Sequence, residues 1–300
     1  MYNNLISYLD GNSIAYLINI SARELTSFKI GGNIDFVVYP RYSTQIIEII
    51  KILKGDGIRY YVLGNGTNTY FSDNGFKGII ISTKRFNRIS VDENYIIAKS
   101  GADIGRCALL ACENSLTGFE FAYGIPGNVG GCVYMNASAF NGSISKITAR
   151  STVYDINSDK IIDISYDGHK FGIKHSVFME NKSLVILETA FMLQYGNKSD
   201  IRDKMEAYLE KRRNTQPLEL PSAGSVFKRP KNAYASKLID DLGLKGIKIG
   251  GAAVSERHAG FIVNTGYATA RDVRDLVELI KSKVKNQYGI LLEEEIIYIE

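Results

Sequence analysis

Leu63-Gly64-Asn65-Gly66-Thr67-Asn68-Thr69, which follows the apolar run Tyr60–Leu63, comes within one residue of the dinucleotide fingerprint G-x-G-x-x-G. Thr69 stands where the third glycine belongs, and Tyr70 to Gly75 carry an Asn-Gly turn in place of a helical pattern. That third glycine lets a helix pack closely on its strand, so a doubly wound nucleotide-binding sheet is not predicted here. Read alone, the loop fits either a plain turn or a cradle. In a cradle the glycines turn backbone N–H groups toward a pyrophosphate while Asn and Thr add donors.

On either side of this loop, strands and helices mix without a βαβ repeat. Short β-rich runs lie at Asp35–Tyr39, Tyr60–Leu63, Gly78–Ser82, Tyr95–Lys99, Thr148–Asp155 and Leu184–Leu193. Helical spacing of apolar residues predicts helices at Thr44–Lys54, with Gly55 as its stop, and at Asp103–Asn114, Asp200–Arg213 and Ala270–Tyr288. In the last of these Thr269 and Asp272 form a capping-box-like pair and Gly289 ends the helix. The class that follows is α+β. The polar patch Tyr195–Ser199 is the best boundary candidate, with a smaller domain after it.

A second loop is denser in glycine: Gly124-Ile125-Pro126-Gly127-Asn128-Val129-Gly130-Gly131, leading into Cys132 and Met135-Asn136-Ala137. Such a path carries little side-chain bulk and suits backbone packed directly against a flat ligand ring; a buried corner between domains is the other reading. Thr26-Ser27-Phe28-Lys29-Ile30-Gly31-Gly32 offers a third, weaker combination of hydroxyls and glycines before the Asp35–Tyr39 run.

Bulk properties narrow the function classes. The chain has 300 residues, 45% hydrophobic and 23% charged, with a net charge of +4 spread thinly and no run of five Lys/Arg. That is a folded globular composition without the basic stripe of a nucleic-acid binder. Cys107, Cys112 and Cys132 form no C-x-x-C pair, and His169, His175 and His258 fall in no metal-ligand motif, so neither a disulfide framework nor a metal site is expected. No apolar stretch is long enough to span a bilayer, and the opening MYNNLISYLDGNS lacks the pattern of a signal peptide. A cytoplasmic protein is expected.

Ser225 lies behind Gly224 in Pro221-Ser222-Ala223-Gly224-Ser225-Val226-Phe227-Lys228, but Ala223 and Phe227 occupy the glycine positions of a nucleophile elbow, which excludes a hydrolase reading. In Leu292-Glu293-Glu294-Glu295-Ile296 the two-residue period of a strand places Glu294 opposite Glu293 and Glu295. An acid held there in an apolar cleft could act as a general acid; a solvated strand end is the alternative.

The order of these pieces carries a resemblance. TSFKIGG, LGNGTN, GFEFAYGIPGNVGGCVYMNASA, FGIKHS, RRNTQPLELPSAGSVFKRP, GGAAVSERHAGFIVN and LLEEE, spread from about Thr26 to Glu295, resemble the successive motifs of the UDP-N-acetylenolpyruvoylglucosamine reductases. The short interval between FGIKHS and RRNTQP resembles the family's compact second type. The resemblance implies a two-part FAD-binding domain of the vanillyl-alcohol-oxidase type plus a smaller α+β substrate-binding domain. Expected boundaries are 1–83 and 84–198 for the two FAD parts, 199–288 for the substrate domain and 289–300 for a C-terminal strand returning to the active site. It implies ping-pong reduction by NADPH, through FAD, of a UDP-sugar enolpyruvyl ether to UDP-N-acetylmuramate for peptidoglycan synthesis, in a monomer without nucleic-acid or membrane partners.

By motif position the resemblance assigns proton delivery to Ser225, stabilisation of an enol-like intermediate to Glu295, and the active-site cation to Lys174. Asn65, Gly66, Thr67 and Asn68 match the pyrophosphate loop, Ile125, Pro126, Gly127 and Gly131 match the segment lining the flavin, and Arg212 and Gln216 match a substrate-binding stretch. Ile173-Lys174 stands where the family has Tyr-Arg. Lysine keeps the charge but loses the planar fork of a bidentate carboxylate contact. A flavoprotein paralogue acting on a different acceptor is therefore the alternative.

Overall fold

The computed structural model describes residues 2–300, which divide into two compact units. Unit 1 comprises the chain to Ile18, Phe36–Asn65 and Gly78–Lys211; unit 2 comprises Asn19–Asp35, Gly66–Lys77 and Arg212–Glu300.

Eight α-helices occur among the described residues: α1 Asn3–Gly11, α2 Ser43–Gly55, α3 Ile104–Glu113, α4 Val129–Tyr134, α5 Val177–Glu180, α6 Lys198–Thr215, α7 Ala235–Asp241 and α8 Ala270–Tyr288. All four predicted helices are present, and so are the six predicted β runs. Gly55 is the final residue of α2, and Asp56, not a glycine, takes the C-cap. In α8 the Thr269 side chain accepts from Asp272 N, the Asp272 carboxylate accepts from Thr269 N, and Gly289 closes the helix at φ 68°. The Tyr195–Ser199 patch is not where the units divide. Helix α6 begins within it at Lys198, and the division falls thirteen residues further on, inside that helix, at Lys211/Arg212.

Unit 1 holds two cores. In the first, α1 and α2 present Leu5, Leu9, Ile46, Ile49, Ile50 and Leu53 to a four-stranded sheet that contributes Phe36, Val38, Ile79 and Ile81. There Tyr60–Leu63 runs parallel to Phe76–Ser82, with Tyr60 opposite Ile79 and Leu63 opposite Ser82. This sheet edge delivers Gly64 and Asn65. The second core packs α3 and α4 against a five-stranded antiparallel sheet ordered Lys160–Ser165, Thr148–Asp155, Leu184–Met192, Tyr95–Lys99, Ile89–Asp92.

Unit 2 is built around α8. Its stripe Val273, Leu276, Val277, Ile280 and Val284 is buried against α7 and an antiparallel sheet of Ser222–Ser225, Phe261–Asn264, Ala252–Val254 and Lys248–Ile249. A short parallel pair, Thr69–Phe71 with Ile297–Ile299, joins residues more than two hundred positions apart. The Thr26–Gly32 motif lies between the strands Ala15–Ser21 and Asn33–Tyr39, and its Phe28 and Ile30 enter the core of this unit.

Candidate active site

In unit 2 five segments distant in sequence come together. Ser222–Ser225 pairs with Phe261–Asn264, Ser225 lying opposite Phe261 after an irregularity in the ladder. Gly224, just before it, has φ 78°, and a Cβ there would meet nothing within 4 Å. The space is open, so it is the left-handed backbone and not crowding that asks for glycine.

Past Ser225 the chain pairs with the acidic segment. Glu295 N donates to Val226 O at 2.7 Å, Lys228 N donates to Glu293 O at 2.8 Å, and Phe227 bridges to Glu294. This alternation sends Glu294 to Lys281 of α8 at 2.9 Å, while Glu293 reaches only Lys228 at 3.4 Å and is exposed. Glu294 is therefore taken up by an ion pair. Glu295 lies in register with Val226, the residue after Ser225, and Ser225 and Glu295 are both half-buried. The structure thus brings the segments carrying Ser225 and Glu295 together, although seventy positions separate them in sequence.

Asn68 and Ser27 complete this cluster. The Asn68 amide donates from Nδ2 to Glu295 O at 2.9 Å, and Asn68 O accepts from Ile297 N at 2.9 Å. Asn68 thus fixes the backbone of Glu295, a contact its place in a presumed pyrophosphate loop gave no sign of. Ser27 Oγ donates to Ser222 O at 2.6 Å, and Asn264 Nδ2 donates to Phe28 O at 3.1 Å. The weak third motif is thereby tied to the Ser225 strand. Gly66 has φ 66°, and a Cβ there would run into Leu25 O.

Arg212 and Gln216, at and just past the end of α6, meet each other, with Arg212 Nη1 donating to Gln216 Oε1 at 3.0 Å. Burial lowers the Arg212 pKa from the ordinary arginine range. Arg257, in the SERHAG motif, holds this turn by donating from Nη1 to Gln216 O at 3.2 Å and to Glu219 Oε2 at 3.1 Å. Sequence reading assigned Arg257 no role; its partners are a main-chain carbonyl and a glutamate thirty-eight residues away, and neither leaves a mark in local spacing.

In unit 1 the second glycine block is half loop, half helix. The expected loop ends at Asn128, and Val129–Tyr134 forms α4 despite Gly130 and Gly131. The reason is Asn128, whose Oδ1 accepts from Gly131 N at 3.3 Å as N-cap while Nδ2 donates to Thr83 Oγ1 at 3.1 Å. Gly64 packs on the face of this buried amide, so closely that a Cβ would overlap Asn128 Oδ1. Gly64 and Asn128 thus join the two glycine motifs within one unit. Ile125 is half-buried, Pro126 and Gly131 are exposed and Gly127 is buried. Lys174 sits at φ 51° in a turn closed by Gly172 N donating to His175 O at 3.0 Å, and its charge acts on the buried Cys132 thiol of α4.

These residues suit a flavin dinucleotide. The amides of Asn65, Gly66 and Thr67 donate to no acceptor among the described residues, so three N–H groups in succession remain for phosphate oxygens. Gly131 offers bare, exposed backbone at the first turn of α4, where a Cβ would find only Asn128 Oδ1 at 3.1 Å.

Comparison with known proteins agrees with this chemistry. Residues 34–163 match the family described as "FAD binding domain", and residues 216–299 match "UDP-N-acetylenolpyruvoylglucosamine reductase, C-terminal domain". The chain is 44% identical over 294 residues to the UDP-N-acetylenolpyruvoylglucosamine reductase of Caldicellulosiruptor bescii, covering 97% of this chain and 93% of that one. It is 43% identical to the enzyme of the same name from Clostridium kluyveri, covering 91% and 90%. The crystal structure of the reductase from Thermus caldophilus superposes with a TM-score of 0.79 at 27% identity, over 96% of this chain and 99% of that one. With two glycine motifs joined through Asn128, the Ser225 and Glu295 segments paired, and this similarity along nearly its whole length, the chain belongs to the UDP-N-acetylenolpyruvoylglucosamine reductase family.

Proposed function

We propose that this protein reduces the enolpyruvyl ether of UDP-N-acetylglucosamine to UDP-N-acetylmuramate, with NADPH as electron donor and FAD as resident cofactor, in peptidoglycan precursor synthesis. The observation that carries the reading is the bond from Glu295 N to Val226 O, which draws the Glu295 segment against the residue that follows Ser225. The chemistry supplied by bound FAD is hydride carriage from NADPH to the enolpyruvyl double bond.

The residues of the chain do the rest. Asn65, Gly66, Thr67 and Asn68 hold the pyrophosphate, and Ile125, Pro126, Gly127 and Gly131 line the ring. Arg212 and Gln216 bind the anionic substrate, and their mutual bond orients the guanidinium. Lys174 stabilises the charge that builds on the substrate carboxylate. Such a fixed cation or donor typically contributes about 100- to 1,000-fold. The Ser225 hydroxyl delivers the proton to the carbon next to that carboxylate, and Glu295 stabilises the enol-like species between the two transfers. Positioned proton delivery is worth on the order of 100- to 10,000-fold.

The resemblance gives FAD parts at 1–83 and 84–198 and a substrate part at 199–288, closed by 289–300; most of the core around α8 lies in the last two, with Phe28, Ile30 and Tyr70 added from the first. The reading places the protein as a monomer in the cytoplasm, working on cell-wall precursors that sustain cell shape and division; no helix among the described residues is long and apolar enough to cross a membrane. Relatives carrying the reductase name at 44% identity favour this reading over a paralogue with another acceptor.

The test is direct. Anaerobic NADPH should bleach the flavin of the purified protein, and the UDP-enolpyruvyl substrate should restore it. Ser225→Ala should bleach normally and recover at least about 100-fold more slowly. A protein whose bleached flavin is indifferent to the UDP substrate would disprove the assignment.

A further inference from the structure

The turn that carries Lys174 is held at both ends by the segment that continues α4. Asn136 Nδ2 donates to Gly172 O at 2.8 Å, and Ser176 Oγ donates to Tyr134 O. Asn136 is buried, has φ 47°, and accepts through Oδ1 from Ser145 N at 2.9 Å, so both ends of its amide are committed. A non-glycine residue in the left-handed region persists only where its surroundings fix it, and asparagine tolerates that region well. Ser176 is fully buried with its hydroxyl on the α4 terminus. Between these two anchors Lys174 is itself left-handed, at φ 51°. The aromatic floor of the same turn is Phe171, stacked at 4.7 Å on the buried His169.

We infer that Asn136 is a positioning residue: with Ser176 it clasps the 172–176 turn onto the end of α4 and thereby sets where the Lys174 ammonium stands. The inference rests on the reading of Lys174 as the active-site cation. Nothing in the spacing of M-N-A and F-G-I-K-H-S announces it, because one partner in each bond is a carbonyl. The clasp also accounts for how a flexible lysine can serve where a rigid guanidinium is usual: its backbone is pinned two residues before and two residues after.

Asn136→Asp is the informative change. It keeps size, left-handed tolerance and the acceptor for Ser145 N, but sets a carboxylate oxygen against Gly172 O. Recovery of the bleached flavin by the UDP substrate should slow about 10- to 100-fold, as expected for loss of one buried hydrogen bond, while bleaching by NADPH stays within about twofold. In the protein as purified, hydrogen exchange at the Gly172 amide, which donates to His175 O, should accelerate. Added to Lys174→Ala, Asn136→Asp should slow recovery no further, because both act through the same group. Ser176→Ala should reproduce the pattern and serves if Asn136→Asp fails to fold. Losses that add to those of Lys174→Ala, or an equal slowing of both half-reactions, would overturn the inference. If Lys174→Ala alone left recovery unchanged, it would be the assignment of Lys174 that failed, and the clasp with it.

Discussion

Gly64→Ala adds a single methyl group at the point where the two glycine motifs meet. The new carbon would lie 2.6 Å from Asn128 Nδ2 and 2.7 Å from its Cγ, distances at which something must move. Gly64 directly follows the strand Tyr60–Leu63, which is held parallel to Phe76–Ser82, so the movable partner is the Asn128 side chain. If it swings away, α4 loses its N-cap, worth about 1 kcal/mol. The bond to Thr83 Oγ1 also goes, leaving a buried donor unsatisfied at about 1–3 kcal/mol. The sum is a destabilisation of about 2–4 kcal/mol, with weaker flavin retention because Gly131 and Asn65 both shift. Urea unfolding followed by circular dichroism reads the first quantity and flavin release on dilution the second. In an Asn128→Ala background the obstruction is gone, and the same substitution should cost less than about 0.5 kcal/mol. A loss below about 1 kcal/mol in the otherwise unchanged protein, or equal losses in the two backgrounds, would refute the reasoning.

Further outcomes follow from the same contacts. Asp73 accepts from Ala270 N at 2.8 Å and Arg271 N at 3.0 Å at the start of α8, so Asp73→Ala should remove about 1–2 kcal/mol and lower the melting temperature by several degrees. His169 is fully buried, with Nδ1 on Ser165 O and Nε2 on Ser151 Oγ, both at 2.8 Å, and burial lowers its pKa below the usual histidine value. Its unfolded state therefore binds the extra proton. Stability is complete above about pH 6.5 and declines as pH falls toward the lowered value, and His169→Gln should flatten that decline in urea midpoints measured from pH 7 downward. His258, lowered by the same cause, should retain part of the slope in that variant. Arg257→Ala frees the turn holding Gln216, so the KM for the UDP substrate should rise while stability changes by less than about 1 kcal/mol, as befits a half-exposed ion pair.

Much of the fold was legible because periodicity is a local property. The α8 stripe, its Thr269–Asp272 box and its Gly289 stop could be read residue by residue, and the same holds for α2, α3 and α6. Other elements were not. Helix α4 hides behind Gly130 and Gly131, poor helix formers made tolerable by the Asn128 cap, and α7 is only seven residues long. The strands Thr69–Phe71 and Ile297–Ile299 have three residues each, too few for a pattern, and exist because each supplies the other's partners. The candidate residues divided in the same way. Ser225, Glu295 and the glycines were proposed from motif order, whereas the bonds of Arg257 to Gln216 O and of Asn68 to Glu295 O were not foreseen, since both acceptors are main-chain carbonyls.

Sequence by itself determined the α+β class, the failure of the Rossmann fingerprint at Thr69, the family and the residues offered for chemistry. Each of these depends on side-chain identity and short spacing, which the chain carries wherever it lies in space. Tertiary structure decided that Glu294 is taken up by Lys281 while Glu295 pairs with Val226, next to Ser225, that Asn128 leaves room only for glycine at 64, and that Lys174 is clasped between Asn136 and Ser176. Those outcomes rest on backbone hydrogen bonds and close packing between distant segments, and a carbonyl oxygen looks the same in every residue until the fold chooses its donor.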